Sequence, residues 1–231
     1  LSNIINIIRN NKILNVGKIN PKELNIVALV PLKGKSVKIS KKYLLDYTLN
    51  HLNKSKYVDK IFLSTDDEFN FKISKKYKNV YNIKRPKKLS KSTIGIETVQ
   101  QYTLNKIEQK GFLPDLVVHC EETFPLREDE LIDNLIDKTL RSGMDTFVAG
   151  KREIGSIWKE DHIGNFQKID SGNIPRIIKE NNYVTYNGLC TVTYPEYLRS
   201  GSFNGKNIGV YEVKNNLSTI EFREKDQVKF F

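Results

Sequence analysis

The length, composition and charge of this 231-residue chain fit one large globular domain with a basic surface. Hydrophobic residues account for 39% of the chain and charged residues for 28%, both ordinary values, but the net charge is +11. No apolar run is long enough to cross a bilayer, and the first residues lack a signal-peptide pattern, so we expect a cytoplasmic protein with no membrane partner. The lysines are spread over the whole length without an aromatic-interleaved stripe, which favours a phosphorylated small molecule over nucleic acid.

The cysteines and histidines predict neither a disulfide nor a zinc site. Cys120 and Cys190 both fall in predicted strands, which indicates buried, reduced thiols. The three histidines are scattered, and no Cys/His spacing indicates zinc. Any metal would therefore be bound through oxygen atoms.

The first core element, residues 25–48, has the layout of a phosphate-binding unit. The apolar run 26–30 is rich in β-branched residues, which is typical of a strand buried on both faces of a parallel sheet, and Pro31 is expected to end it. A basic loop with Gly34 and Ser36 follows, and a helical pattern begins near Tyr43. Backbone N–H groups and the positive end of a helix can bind phosphate there. A solvated lysine-rich loop explains the same residues equally well, and no Walker motif can be written.

The rest of the chain alternates strand and helix patterns. The predicted strands are 60–64, 80–83, 116–120, 146–149, 186–189 and 210–212. The predicted helices are a short one ending at 76, then 98–107, 128–141 and 195–199, with a final strand–helix pair from 218. Residues 150–175 break this rhythm and predict a hairpin-like arm. We expect an N-terminal appendage or linker at 1–24 and, over 25–231, an α/β domain with a doubly wound, mostly parallel sheet.

Ligands of such sheets bind at the carboxyl ends of the strands, which selects the candidate site residues. They are residues 32–36, 65–67 and 121–127, Arg85, and Asn187 with Gly188 at the expected start of a later strand. Together they offer a phosphate cradle, oxygen ligands and an arginine that can clamp a planar group. Three of these residues also have a structural explanation. Asp66 is at least as well explained as a helix N-cap or a first-turn acid. Arg85 is also explained as part of a salt-bridged turn, and Arg127 is equally well explained as a structural residue.

Five short motifs at these strand ends resemble, in the same order, those of the acylneuraminate cytidylyltransferases, the CMP-sialic acid synthetase family. They lie at residues 30–36, 64–67, 85–86, 120–127 and 187–189, and the resemblance covers residues 25–231. Lys33 stands where the family has arginine, and Glu121 where it has glutamine. Residues 221–223 read Glu-Phe-Arg where the family has an Asp-Ile-Asp metal motif, and the lysine–asparagine pair after Ser36 cannot be placed.

The resemblance implies a Rossmann-like nucleotidyltransferase that transfers CMP from CTP to the anomeric hydroxyl of a sialic-acid-like keto-sugar acid and releases pyrophosphate. It implies catalytic roles for Lys33 and Ser36. The CTP-binding residues would be Leu32, Lys33, Gly34, Ser36 and Arg85. The sugar-binding residues would be Glu121, Thr123, Arg176 and Asn187. The metal ligands of a Mg²⁺ cofactor would be Glu221 and Asp226, and the arm at 150–175 would join a homodimer.

The differences from the family leave two alternatives open. One is a cytidylyltransferase for another acceptor, such as a phosphonate or a different sugar. The other is a nucleotide-binding module with weakened catalysis, since Arg223 replaces the second acid of the metal motif. Arg223 lies two residues beyond Glu221, so on a strand both side chains would share a face. We therefore expect Arg223 either to pair with Glu221 or to contact the phosphates in place of the metal.

Overall fold

The computed structural model describes residues 20–169, 175 and 180–223. Most of the predicted appendage, the last part of the arm and the predicted site residues Arg176 and Asp226 lie outside these ranges. Among the described helices, none is long and apolar enough to cross a membrane.

Strands and helices alternate along the chain, as the sequence predicts. The strands are β1 Ile26–Leu32, β2 Lys38–Ile39, β3 Lys42–Tyr43, β4 Lys60–Thr65, β5 Val80–Lys84, β6 Leu116–His119, β7 Thr146–Glu153, β8 Trp158–Glu160, β9 Phe166–Lys168, β10 Asn182–Thr185, β11 Thr191–Thr193 and β12 Ile208–Glu212. The α-helices are α1 Leu44–Lys54, α2 Glu68–Ser74, α3 Ile96–Glu108, α4 Leu131–Ser142 and α5 Pro195–Arg199. Short 3₁₀ helices lie at Pro21–Glu23, Lys87–Ser90 and Asn216–Thr219.

The central sheet has eight strands in the order β10-β7-β11-β6-β1-β4-β5, with β12 also paired to β7. β6, β1, β4 and β5 run parallel, while β11 runs antiparallel to both β6 and β7. Every residue of β1 is buried because it lies between two strands and beneath helices on both faces. The predicted α/β class with a mostly parallel sheet is confirmed.

Alternate residues of β1 pack into different cores. Val27 and Leu29 join a cluster that includes residues of α3, whereas Ile26, Ala28 and Val30 join a larger cluster that includes residues of α1 and α4. A strand covered on both faces requires this continuous run of apolar residues. The hydrophobic core therefore fixes the carboxyl end of β1 at the edge of the sheet where the loops converge.

Three predictions about the elements are corrected by the structure. Pro31 does not end β1, which continues to Leu32 and pairs with β4, whereas pairing with β6 stops at Leu29. Proline is tolerated there because one flank of the strand no longer needs a ladder N–H. Residues 186–189 form a turn between β10 and β11 rather than a strand, closed by a bond from Leu189 N to Tyr186 O of 3.0 Å. Residues 220–223 are irregular rather than a strand.

The arm contains the expected hairpin. β8 pairs antiparallel with β9, with Trp158 opposite Lys168. A role of this arm in a homodimer stays a prediction. Cys120 and Cys190 are buried free thiols, as expected, although each lies just outside a strand.

Candidate functional site

The loop after β1 is held in shape by side chains from the neighbouring strand–helix unit. Gly34 adopts a φ of +67°, a left-handed conformation that suits glycine, and its N–H donates to Asp66 Oδ1 at 2.9 Å. Buried Asn70 of α2 donates to Gly34 O at 2.7 Å and accepts from Ser36 N at 3.0 Å. The backbone of the predicted phosphate loop is thus clamped on both sides of Lys35.

The sequence carries no signal for this role of Asn70. It lies inside an amphipathic helix and reads as an ordinary polar residue, yet its amide nitrogen also donates to Thr65 Oγ1 at 2.9 Å. The N-cap of α2 is Asp67, whose side chain accepts from Phe69 N at 2.8 Å. Asp66 is therefore available to the loop, and the N-cap interpretation applies to Asp67.

Arg85 is buried, with 4% of its surface exposed, and its guanidinium bonds to the backbone of the same loop. Its Nη2 donates to Leu32 O at 2.9 Å, its Nε donates to Ser90 Oγ at 3.0 Å, and Nη2 lies 3.5 Å from Asp66 Oδ1. Burial would raise the pKa of Asp66, but bonds from Gly34 and Ser90 and the charge of Arg85 keep that pKa below its ordinary value. Three of the predicted CTP-binding residues, Leu32, Gly34 and Arg85, therefore lie close together, and Arg85 is bonded to the loop.

Ser36 lies beneath the loop rather than on its surface. Its hydroxyl donates to Glu122 Oε2 at 2.5 Å and accepts from Leu45 N, in the first turn of α1, at 3.1 Å. Burial raises the pKa of Glu122 to about 7, which outweighs the lowering effect of the bonds from Ser36 and Leu45. Lys33, by contrast, is exposed at the mouth of the loop. The catalytic roles assigned to Lys33 and Ser36 stay predictions.

The turn after β6 is organised by buried Arg127. Its guanidinium donates to five acceptors, which are the carbonyl oxygens of Glu121, Phe124, Gly188 and Leu189 and the hydroxyl of Thr48. These bonds join the turn after β6, the turn before β11 and helix α1. The structural interpretation of Arg127 fits this arrangement.

Glu121, which the resemblance assigns to sugar binding, contacts buried His119 through its side chain. Its Oε1 lies 3.3 Å from His119 Nε2, and His119 Nδ1 lies 2.6 Å from Gln100 Nε2. Burial would raise the pKa of Glu121, but the bond to His119 and the nearby charges of Arg223 and Arg127 lower it. Asn187 is exposed in the adjacent turn, next to buried Gly188.

The C-terminal described segment completes this side of the site. Thr123 Oγ1 donates to Glu221 Oε1 at 3.3 Å, and Arg223 Nε lies 2.7 Å from the same oxygen. Phe222 N donates to Thr123 O at 2.7 Å, which fixes the segment against the turn after β6. Thr123, Glu221 and Arg223 are therefore neighbours.

The described residues do not fit a protein-built magnesium site. Among the parts of the chain that the structure describes, no group of three or more His, Cys, Asp or Glu residues could hold a metal ion. Glu221 is already paired with Arg223, a cation, and Asp226 lies outside the described ranges. Mg²⁺ therefore stays a prediction from the sequence.

Comparison with known proteins identifies the class to which this geometry belongs. The profile of the family described as "Cytidylyltransferase" matches residues 32–217, most of the chain. This agrees with the cytidylyltransferase class expected from the sequence but gives no specific support to the sialic acid branch. No curated protein sequence matches the chain.

Solved structures share the fold at low sequence identity. The 4-diphosphocytidyl-2C-methyl-D-erythritol synthase of Anaerococcus prevotii is 13% identical, with a TM-score of 0.67, over 91% of this chain and 96% of that chain. A CMP:2-keto-3-deoxy-manno-octonic acid synthetase complexed with CTP is 11% identical, with a TM-score of 0.56, over 82% and 90%. At this identity the likeness demonstrates a common fold.

Proposed function

The chain belongs to the cytidylyltransferase family, and we propose that it transfers CMP from CTP to a hydroxyl group of a sugar-like acceptor and releases pyrophosphate. The observation that carries the proposal is the clamped loop at the carboxyl end of β1. Asp66, Asn70 and Arg85 hold its backbone from three directions, next to the first turn of α1. The N–H groups of Gly34 and Ser36 are already donated to Asp66 and Asn70, so this loop is suited to bind a triphosphate mainly through its exposed lysines, Lys33 and Lys35, next to the positive end of α1.

Transfer of CMP requires the protein to position the two substrates and to stabilise charge, and it requires no covalent intermediate with the protein. The oxygen of the acceptor hydroxyl attacks the α-phosphorus in line and its proton is released to solvent, while the bond from the α-phosphorus to the α,β-bridging oxygen breaks and pyrophosphate leaves. Lys33, exposed at the mouth of the loop, would neutralise charge on the phosphates. Arg85 and Asn70 would keep the loop in the shape that receives them. Leu32 O is occupied by Arg85, so the cytidine would meet the neighbouring backbone of the loop.

The acceptor would bind on the other side, between the turn after β6 and the C-terminal segment. Glu121, Thr123 and Asn187 are the described polar groups assigned to it. The sequence resemblance proposes a sialic-acid-like keto-sugar acid, with Arg176 as the partner of its carboxylate. The same resemblance proposes a homodimer joined through the arm, and the exposed Trp158 and Phe166 of the hairpin support it, since exposed apolar clusters often mark interfaces.

A nucleotide-binding module with weakened catalysis is the second candidate. The pairing of Glu221 with Arg223 favours it, because this pairing withdraws an acid from the expected metal motif. Both candidates bind CTP, whereas the enzyme alone releases pyrophosphate.

Thermal shifts with CTP, ATP, GTP and UTP, each with and without Mg²⁺, test the nucleotide assignment. A ligand at 100 times its Kd stabilises the folded state by about 2.7 kcal/mol, so CTP should raise the melting temperature clearly above the other three. Lys33→Ala should reduce the CTP shift, and Lys159→Ala, at an exposed position in the arm, should leave it unchanged. Equal shifts with all four nucleotides would contradict the cytidine assignment.

A further inference from the structure

Cys120 and Cys190, the two cysteines of the chain, lie directly opposite each other at the ends of neighbouring strands. The antiparallel register pairs His119 of β6 with Thr191 of β11, and the next step of this register pairs Cys120 with Cys190. Both side chains are fully buried in the same core cluster, and both are free thiols. The proposed transfer chemistry uses neither of them.

The backbone around the two cysteines makes them a non-hydrogen-bonded pair. Cys120 N donates to Leu29 O of β1, so the backbone groups of Cys120 point away from β11. Cys190 O accepts from Ala149 N of β7, so the backbone groups of Cys190 point away from β6. Across such a pair the Cα atoms are about 4.5 Å apart, within the range of about 4.4–6.8 Å that a disulfide spans. The two positions therefore allow a disulfide without a change of register.

The two thiols already contact each other. Cys190 donates a hydrogen bond to the sulfur of Cys120, and Cys120 Sγ lies 3.6 Å from its acceptor, Leu189 O. The bond from Cys190 and the charge of Arg127 lower the pKa of the Cys120 thiol to about 6 in spite of its burial. The same bond, together with burial, raises the pKa of Cys190. Cys120 is therefore the thiol that ionises first, and the thiolate is the form that reacts with oxidants.

The pair lies between two turns that are assigned to the acceptor side of the site. Cys120 directly precedes Glu121, and Cys190 directly follows the turn that contains Asn187. The two turns are joined by the hydrogen bond from Glu121 N to Gly188 O, at 2.7 Å. A covalent bond between the cysteines would fix the distance between these turns.

We propose that Cys120 and Cys190 form a redox site, in which a peroxide oxidises the two thiols to a disulfide that ties the turn after β6 to the turn before β11 and slows transfer to the acceptor. The thiolate of Cys120 attacks one oxygen of hydrogen peroxide, so that an S–O bond forms, the O–O bond breaks, and hydroxide leaves and takes up the proton released by Cys120. The sulfur of Cys190 then attacks the sulfenic sulfur of Cys120, and the second oxygen leaves as water with the proton of Cys190. Two thiols thus lose two electrons, and one molecule of peroxide becomes two molecules of water.

The burial of both sulfur atoms sets the speed of this reaction. Neither thiol is exposed, so peroxide reaches the pair only when one of the two turns opens locally. Oxidation is therefore slower than that of an exposed thiol. A reductant that enters by the same opening restores both thiols.

The size of the expected effect follows from the geometry of the pair. The Cβ atoms of opposed antiparallel residues are about 4.5–5.5 Å apart, whereas those of a disulfide are about 3.8 Å apart, so closing the bond moves one turn by about 1 Å relative to the other. A displacement of about 1 Å can slow a reaction about 100-fold, and we expect transfer to be slowed at least about tenfold. CTP binding should be nearly unchanged, because the loop after β1 is held by Asp66, Asn70 and Arg85. The effect on transfer rests on the proposed function, whereas formation of the disulfide does not.

The test treats the full chain with hydrogen peroxide, removes the excess and measures the intact mass. We expect the loss of two hydrogen atoms per chain, no thiol that reacts with iodoacetamide in urea, and full reversal by dithiothreitol. Amide hydrogen exchange in residues 121–124 and 186–189 should be slower in the oxidised chain. Acceptor-dependent release of pyrophosphate from CTP should fall at least about tenfold and recover on reduction.

Cys120→Ala and Cys190→Ala remove one partner each, and both variants should keep their own transfer rate after peroxide treatment. The matched control is Met144→Leu, which removes the one methionine of the chain, another side chain that peroxide oxidises, and should respond like the wild type. Two thiols that remain reactive after treatment, a gain of oxygen without loss of hydrogen, or a disulfide between two chains would overturn the proposal. A disulfide that leaves hydrogen exchange and transfer unchanged would overturn it as well. If the reduced chain releases no pyrophosphate, the proposed function fails, while the mass and hydrogen exchange still decide whether the redox site exists.

Discussion

The buried carboxyl group of Glu122 makes a quantitative prediction about stability. The side chain is 6% exposed and bonds to the Ser36 hydroxyl beneath the nucleotide loop. Burial raises its pKa from 4.5 to about 7. Glu122→Gln replaces the ionisable group by a neutral one of nearly the same shape, whose oxygen can still accept from Ser36.

The direction of the effect follows from proton binding. Between pH 4.5 and about 7 the folded chain holds a proton on Glu122 that the unfolded chain has released, so this group's contribution to stability falls as the pH rises. The contribution is fully present below pH 4.5 and lost above about pH 7. At about 1.36 kcal/mol per pKa unit, the whole loss is about 3 kcal/mol.

Urea unfolding of the wild-type chain and of Glu122→Gln at a series of pH values measures this contribution. The free energy of unfolding of the wild type, minus that of the variant, should fall by about 3 kcal/mol between pH 4.5 and pH 8 and then stay constant. The same difference for Glu23→Gln, an exposed site, should be nearly flat. A flat difference for Glu122→Gln would refute the reasoning, and a difference that rises with pH would show that the ionised form is the stabilised one.

Three other changes test the loop, the C-terminal segment and the arm. Asn70→Ala removes three hydrogen bonds and leaves Ser36 N buried without its acceptor, so we expect a loss of about 2–4 kcal/mol in stability and weaker CTP binding, whereas Asn70→Asp keeps the acceptor and should lose less. Arg223→Asp should weaken CTP binding without Mg²⁺ and strengthen the response to added Mg²⁺; unchanged affinity in both conditions would place Arg223 outside the site. Light scattering should give a dimer mass, and Trp158→Glu, at a side chain 56% exposed, should shift it toward the monomer; a monomeric wild type at high concentration would exclude the dimer.

The parts of the fold predicted from sequence are those where burial imposes a clear pattern. The apolar run 26–30 belongs to β1, whose seven residues are all buried, and the short helix predicted at 195–199 has the observed bounds of α5. The helix predicted from Glu128 begins only at Leu131, because Glu130 takes a left-handed conformation with a φ of 60°. Boundaries depend on such local conformations, which hydrophobic periodicity does not record.

The site was predicted less completely than the fold because its shape depends on polar contacts between distant parts of the chain. Asn70 reaches back 36 residues to Gly34, and Glu122 lies 86 residues from Ser36. A polar residue in an amphipathic helix or a second acid in a turn carries no sequence signal for such partners. The strand predicted at residues 186–189 is wrong in position, because β10 is mostly exposed and lacks the apolar alternation by which hydrophobic periodicity locates a strand.

Release of pyrophosphate from CTP tests the central claim most directly. The wild-type chain is incubated with each nucleoside triphosphate, Mg²⁺ and a set of hydroxyl-bearing sugar acceptors, and pyrophosphate is measured over time. Acceptor-dependent release should occur with CTP and be at least about tenfold slower with ATP, GTP or UTP, and Lys33→Ala should slow it. Equal release with all four nucleotides, or none with CTP and any acceptor, would contradict the assignment of this chain as an active cytidylyltransferase.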